Sequence, residues 1–218
     1  MDNFVFKEPS RIELVEGKTH LLSYQPYAIQ HNRIRLRILS IFEAFLEKMS
    51  CIVLDNTDVY LNKDNLYIPD AMIVCNRSIL HDDAVYGSPD LVVEVLSPST
   101  AKNDRGPKMR HYAEAGVKEY WIVTPIGKTV EVYYNHDGRF DIDAVYTDFS
   151  DHDLELMNDD DRRDVRLEIP VSLYDDFHVK VKDIFVNTDG FQETCSYEKE
   201  PLQSQQLLFQ CKCFRFFS

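Results

Sequence analysis

Leu91-Val92-Val93-Glu94-Val95-Leu96 is the most apolar run of this chain, and a carboxylate sits in the middle of it. The run is short, rich in Val and bounded by Pro89-Asp90 and Ser97-Pro98, so it reads as a buried strand. A second run, Leu66-Tyr67-Ile68-Pro69-Asp70-Ala71-Met72-Ile73-Val74, carries Asp70 in the same way. A carboxylate taken out of water is costly unless a cation or hydrogen-bond donors meet it. Two of them on strands of one domain point to a metal site.

Strand alternation sharpens this. Leu66, Ile68, Asp70, Met72 and Val74 are expected on one face, and Asp90, Val92, Glu94 and Leu96 on one face of the next strand. Pro69 has no N–H for a ladder, which predicts an edge or a bulge that turns Asp70 out of the sheet plane. If the strands are neighbours, Asp70 and Glu94 converge. Oxygen ligands of this kind suit Mg²⁺ or Mn²⁺.

Outward from these runs the chain reads as α/β. Arg11–Val15, a turn at Glu16-Gly17-Lys18 and Thr19–Leu22 form an N-terminal hairpin. A helix follows over about 27–49, with Ile34, Ile38, Ile41, Phe42 and Phe45 on its apolar face. Strand-like runs near 52–61, 65–75 and 89–96 come next, the first two joined by a turn at Asn62-Lys63-Asp64-Asn65. A second helix is expected over 105–115. Asn103 or Asp104 is its N-cap, Pro107 lies in its first turn and Gly116 closes it. Strands at Glu119–Val123, Val130–Tyr134 and Ile142–Tyr146 complete a mixed sheet flanked by helices. An irregular acidic insertion spans about 148–164. Arg166–Ile169, Val179–Val181 and Asp183–Phe185 close a single domain over 1–186, and a polar, then aromatic, extension occupies 187–218.

Composition narrows the function classes. No apolar run spans a bilayer, and the N-terminal residues lack the basic-then-apolar order of a signal peptide, so a cytoplasmic protein without a membrane partner is expected. The five cysteines are odd in number and show no C-x-x-C spacing, which indicates neither a disulfide framework nor a zinc site; Cys51 and Cys75 read as small buried hydrophobes. A net charge of −13 opposes non-specific attraction to nucleic acid, but much of it resides in the acidic insertion. It therefore argues only weakly against a phosphate-rich substrate.

Pro69-Asp70, then Pro89 to Thr100, then Asp104-Arg105, Lys108, Tyr112, Ala115-Gly116-Val117 and Glu119-Tyr120-Trp121-Ile122-Val123 resemble the Uma-two family of putative restriction endonucleases. That family belongs to the PD-(D/E)XK nuclease superfamily. The resemblance covers roughly residues 10–147, with a weaker echo near 179–185. It implies a restriction-endonuclease-like fold, with Asp70 and Glu94 as the metal-binding acids and the Val95 carbonyl as a third oxygen ligand. The sequence departs from the superfamily where the motif lysine belongs, because Leu96 stands there. Lys108, early in the following helix, matches a lysine of the family and is the implied substitute. Asp104, Lys108 and Tyr112 fall on one helix face, beside a helix N-terminus that would favour phosphate.

Each candidate has a plainer reading. Glu94 can be one half of a structural ion pair, and Asp70 a turn acid. Asp104 can be a cap, Lys108 a solvated helix lysine, and Tyr112 or Trp121 core aromatics. His31, which also matches a family position, is a secondary candidate, and Glu13 a weaker one. Asp90 reads as a strand-start residue bonded to nearby backbone. Ser97 has no histidine tied to it. The leading function is metal-assisted phosphodiester hydrolysis of DNA, by a homodimer if both strands are cut. The alternatives are a catalytically lapsed binding or assembly module and a hydrolase of non-nucleic phosphates.

Overall fold

The computed structural model describes residues 12–21 and 28–190. Strands β1 (Ile12–Val15) and β2 (Lys18–Leu21) form the expected antiparallel hairpin. Its two turn residues, Glu16 and Gly17, both take positive φ, the geometry that matches the twist of the flanking strands. Helix α1 (Ala28–Leu46) buries Ile34, Ile38, Phe42 and Leu46, one residue per turn. Phe42 packs edge-on against Trp121 and Phe177, and Phe45 stacks on Phe177.

The two runs expected next each break in two. The first becomes β3 (Ile52–Leu54) and β4 (Val59–Asn62), and the second becomes β5 (Asn65–Tyr67) and β6 (Ala71–Val74). The halves belong to different sheets. Between β5 and β6 the chain crosses at Ile68-Pro69-Asp70, where Pro69 cannot donate to a ladder. Its carbonyl instead accepts from Asn56 N–H at the matching break in the first run. Alternation does not survive the crossing. Tyr67, not Leu66, shares a core cluster with Met72 and Val74. The expected bulge is a change of sheet.

Strand β7 (Val85–Tyr86) pairs with β4, and β8 (Leu91–Val95) pairs with β6. After β8 come α2 (Ala101–Asn103), a wide helical turn over Asp104–Lys108, and α3 (Met109–Ala115). The chain is therefore helical from residue 101, before the expected start. Gly116 closes α3 at φ 95°, as its position predicts. Then follow β9 (Glu119–Thr124), β10 (Thr129–His136) and β11 (Arg139–Thr147). The six-stranded sheet has the order β11-β10-β9-β8-β6-β3, with β8 and β9 parallel and the other pairs antiparallel. The five-stranded sheet has the order β2-β1-β5-β4-β7. The architecture is a mixed α/β fold, as read from the sequence.

The acidic stretch is not irregular. It forms α4 (Asp151–Leu156), with Ser150 and Asp153 in a capping box, and α5 (Asp159–Arg163), capped by Asn158. Strands β12 (Glu168–Pro170) and β13 (His178–Lys180) pair, and α6 (Val181–Ile184) packs against α1. The extension beyond Gly190 lies outside the described residues.

The reading of Cys51 and Cys75 as separate buried hydrophobes is corrected: they form a disulfide. Ile52 opposes Val74 in the β3–β6 ladder, so the next step of the register sets the two cysteines face to face. The pairing depends on strand register, which cysteine spacing does not carry.

Candidate functional site

The β6–β8 ladder sets Ala71 opposite Val93, and one more step sets Asp70 opposite Glu94. The two strand carboxylates are brought together as expected. Asp70 Oδ2 accepts from Val95 N–H at 2.8 Å and lies 3.2 Å from His31 Nε2 on α1. Burial on its own lowers the His31 pKa. The hydrogen bond and charge of Asp70, with a hydrogen bond to the Val95 main chain, outweigh it and hold the ring above its ordinary value. His31 therefore engages two of the three groups that the family resemblance assigns to a metal.

Glu94 enters an ion cluster. Lys108 Nζ is 2.8 Å from Glu94 Oε1, 2.9 Å from Glu13 Oε1 and 3.4 Å from Asp104 Oδ1. Lys108, Glu94, Glu13 and Asp104 are each at most 3% exposed. Burial pushes the Glu94 carboxyl well above its usual range; Lys108 opposes this, while Asp104, Asp70 and Glu13 add to it. Asp104 is raised by burial against the pull of Lys108 and a hydrogen bond from Thr100. Burial lowers the Lys108 pKa, but Glu94, Asp104 and Glu13 outweigh it, so the ammonium stays charged.

The wide turn over 104–108 explains how the helix delivers two charges inward. Pro107 has no N–H and Gly106 leaves helical geometry at φ −121°, ψ −107°. Tyr120 Oη donates to the Asp104 carbonyl at 3.0 Å, so the irregular backbone is still bonded. Asp104 is corrected from N-cap to buried member of the cluster. Lys108 sits inside this continuous helical segment, so the expected field of a helix N-terminus beside it is absent. Leu96 packs with Met72, Tyr112 and Tyr120, which leaves Lys108 as the cation on Glu94.

Tyr112 joins the same helix face, fully buried, its ring against Tyr67 and Tyr120. Its hydroxyl has no hydrogen-bond partner, and burial followed by the Glu94 charge pushes its pKa well above the ordinary value. The Lys108 ammonium also lies 5.6 Å from the centre of the Tyr67 ring. Tyr67 Oη in turn meets His111 Nδ1 at 2.6 Å, which ties β5 to α3 beneath Lys108. The sequence reading passed over Tyr67 and His111. No spacing links them, since they lie 44 residues apart.

Glu13, the weaker candidate, is a full member of the cluster. Its hairpin strand pairs with β5, and Ile68 N–H donates to Glu13 Oε1 at 3.2 Å. Asp90 is as read: Cys75 N–H donates to its Oδ2 at 2.7 Å, and Lys118 pairs with Oδ1.

A model of the Uma2 family, described as "Putative restriction endonuclease", matches residues 2–157. The chain belongs to the Uma2 family. Among curated proteins it is similar to uncharacterized protein slr1290 of Synechocystis sp., at 32% identity over 111 residues. That match covers 49% of this chain and 58% of the relative, so the chain spans little more than half of the relative's length. Among solved structures it resembles a putative nuclease belonging to DUF820 from Anabaena variabilis ATCC 29413. The TM-score is 0.60 at 18% identity, covering 82% of this chain and 93% of that one, which shows a shared fold.

For a Uma2 chain the donor set matters. Among the described residues no three His, Cys, Asp or Glu side chains converge to hold a metal on their own. A cation here would rest on two carboxylates, a main-chain carbonyl and oxygens from water or substrate, a set that suits Mg²⁺ or Mn²⁺. The charge balance fits one. Glu13, Asp70, Glu94 and Asp104 are gathered around one lysine and one histidine. The Tyr112 hydroxyl is a buried polar atom without a hydrogen-bond partner, and Asp104 Oδ1 is met by Lys108 at 3.4 Å.

Proposed function

We propose that this Uma2 protein is a divalent-metal-dependent endonuclease that hydrolyses phosphodiester bonds of DNA. Asp70, Glu94 and the Val95 carbonyl would hold Mg²⁺ or Mn²⁺, with Lys108 assisting. The observation that carries the reading is the opposition of Asp70 and Glu94 across β6 and β8, with Lys108 2.8 Å from Glu94 in a cluster richer in carboxylates than in cations. A bound divalent ion lowers the pKa of a coordinated water and offsets charge on the scissile phosphate.

The protein's own groups supply the rest. Val95 N–H and His31 both meet Asp70 Oδ2, which fixes the carboxylate, so Oδ1 would be the oxygen that meets a ligand. Glu13 and Asp104 hold Lys108 charged and in place, so its ammonium can face a phosphate as negative charge builds on it. Tyr112 Oη, buried on the same helix face, would act from behind Lys108 and not on the phosphate itself. Duplex cleavage needs two cuts, so the reading includes a homodimer.

The test is titration of Mn²⁺ into wild type, Asp70→Ala and Glu94→Ala, followed by thermal unfolding. A ligand bound only by the folded state raises the melting temperature, by about 2.7 kcal/mol of stability at a hundredfold excess over Kd. The expected result is a shift in wild type that both variants lose, with plasmid nicking that Lys108→Met abolishes. No shift in wild type, with or without oligonucleotide, overturns it. One observation favours a second reading, the lapsed binding module: His31 and Lys108 already engage Asp70 and Glu94. That reading expects a metal-free protein that binds duplex or partner without cutting.

A further inference from the structure

The acidic stretch, unused by the candidate site, builds a surface of its own. Helices α4 and α5 and the end of β11 enclose an open groove of about 620 Å³. Phe149, Leu156 and Met157 give it apolar walls, and Asp148, Asp153 and Asp161 give it charge. Leu156 is 73% exposed, although it ends a helix that could have turned it inward. The nearby arginine does not neutralise the groove. Arg162 is spent on the carbonyls of Leu154, Glu155 and Met157, which lock the α4–α5 corner. An apolar floor rimmed by carboxylates fits an aromatic segment that carries basic residues.

Such a segment lies in this chain. Residues 211–217 read Cys-Lys-Cys-Phe-Arg-Phe-Phe, three aromatics with Lys212 and Arg215 and no acid. The described chain also leaves the fold at the groove. Asp189 pairs with Lys128 at 2.6 Å, the same ammonium lies 3.9 Å from Asp148, and Gly127 beside it lines the groove. Between Gly190 and Cys211 the chain has a reach of up to about 3.4 Å per residue, enough to turn back over two short helices. A tether of that length supplies a local concentration of about a millimolar, so a modest contact is sufficient to hold.

We propose that the groove between α4 and α5 is the docking site of residues 211–217 of the same chain, with Phe214 or Phe216 against Leu156 and Met157 and the basic pair among Asp148, Asp153 and Asp161. The segment then covers the exposed leucine and offsets the most acidic part of the surface.

The experiment uses the full chain and its own thiols. Cys211 and Cys213 lie in the segment, and Cys195, in the same extension but outside the segment, supplies the reference rate. After brief mild reduction, alkylation of each thiol is followed by peptide mass spectrometry. Cys211 and Cys213 should react about tenfold more slowly than Cys195, and Leu156→Lys should remove the difference. Leu156 is exposed, so that substitution leaves the fold intact. In the reciprocal variant, Phe214→Ser with Phe216→Ser, amide exchange over 154–157 should accelerate. Equal rates at the three thiols in wild type overturn the proposal, as does protection that Leu156→Lys leaves untouched. Protection that grows with protein concentration overturns it in favour of exchange between two copies.

Discussion

Two glutamates are buried in neighbouring parallel strands, Glu94 on β8 and Glu119 on β9, and they are handled in opposite ways. Glu119 is met by neutral donors alone. Trp121 Nε1 donates to Oε1 at 2.6 Å, and Ser172 N–H and Oγ donate to Oε2 at 2.8 and 2.6 Å. Burial raises its pKa, those three hydrogen bonds work against the rise, and the bond to Ser172 fastens the segment after β12 onto the sheet. Glu94 meets a lysine shared with two more acids, beside an aspartate on the next strand. One carboxylate is saturated and holds the fold together. The other is left with more negative charge around it than the protein neutralises, which is the arrangement the proposed cation site needs.

The comparison breaks most sharply in activity. Glu94→Gln should lower metal-dependent nicking by about a thousandfold, the scale of losing a key electrostatic group, and leave the melting temperature near wild type. Glu119→Gln should leave the Mn²⁺-induced thermal shift intact. Equal loss of metal response in both variants would erase the distinction.

Stability should show the reverse order. Glu119→Ala strands the Trp121 and Ser172 donors and should cost on the order of 3 kcal/mol, read in urea unfolding. For a domain of this size that lowers the melting temperature by about 10 °C. Ser172→Ala should cost about 1 kcal/mol.

Tyr67→Phe sharpens the comparison on the Glu94 side. It removes the His111 hydrogen bond but keeps the ring beneath Lys108. A loss of about 1 kcal/mol is expected, with metal binding kept. If binding is lost as well, the link from Tyr67 through α3 positions the site.

The smallest effect is in pH dependence. The folded pKa of Glu94 is raised above 4.5, so the unfolded chain gives up its proton first as pH rises. Its contribution to stability is present on the acid side of the ordinary value and is lost as pH climbs through the raised one. Without metal, stability should therefore fall from about pH 5 upward, and Glu94→Gln should flatten the slope. Glu119 has the same sign, so its own Gln variant should flatten the slope too. Mn²⁺ should cancel the Glu94 part only.

Local pattern carried much of this. The hairpin turn, the core face of α1, the Gly116 stop and the strand nature of the Glu94 run are all set by residues within a few positions of one another, where sterics and hydrophobic period act directly. Asp70 and Glu94 were named from their runs, and Lys108 from the family resemblance with Asp104 and Tyr112 on its helix face; the fold brings the two strand acids opposite each other and the other three around Glu94. The capping box at Ser150 with Asp153 and the cap at Asn158 were also written in the sequence, but the density of acids hid them.

Contacts between distant segments were not legible. The break at Pro69 moved half a strand into another sheet and changed which residues share a face. Strand register, not spacing, joined Cys51 to Cys75. Glu13 reaches Lys108 only because its hairpin pairs with β5, and Glu119 finds Ser172 53 residues away. The sequence by itself determined that Glu94 would be buried, since a strand's neighbours along the chain decide its burial. Only the tertiary structure decided which cations and donors meet them, because those partners come from elements whose relative placement no local pattern encodes.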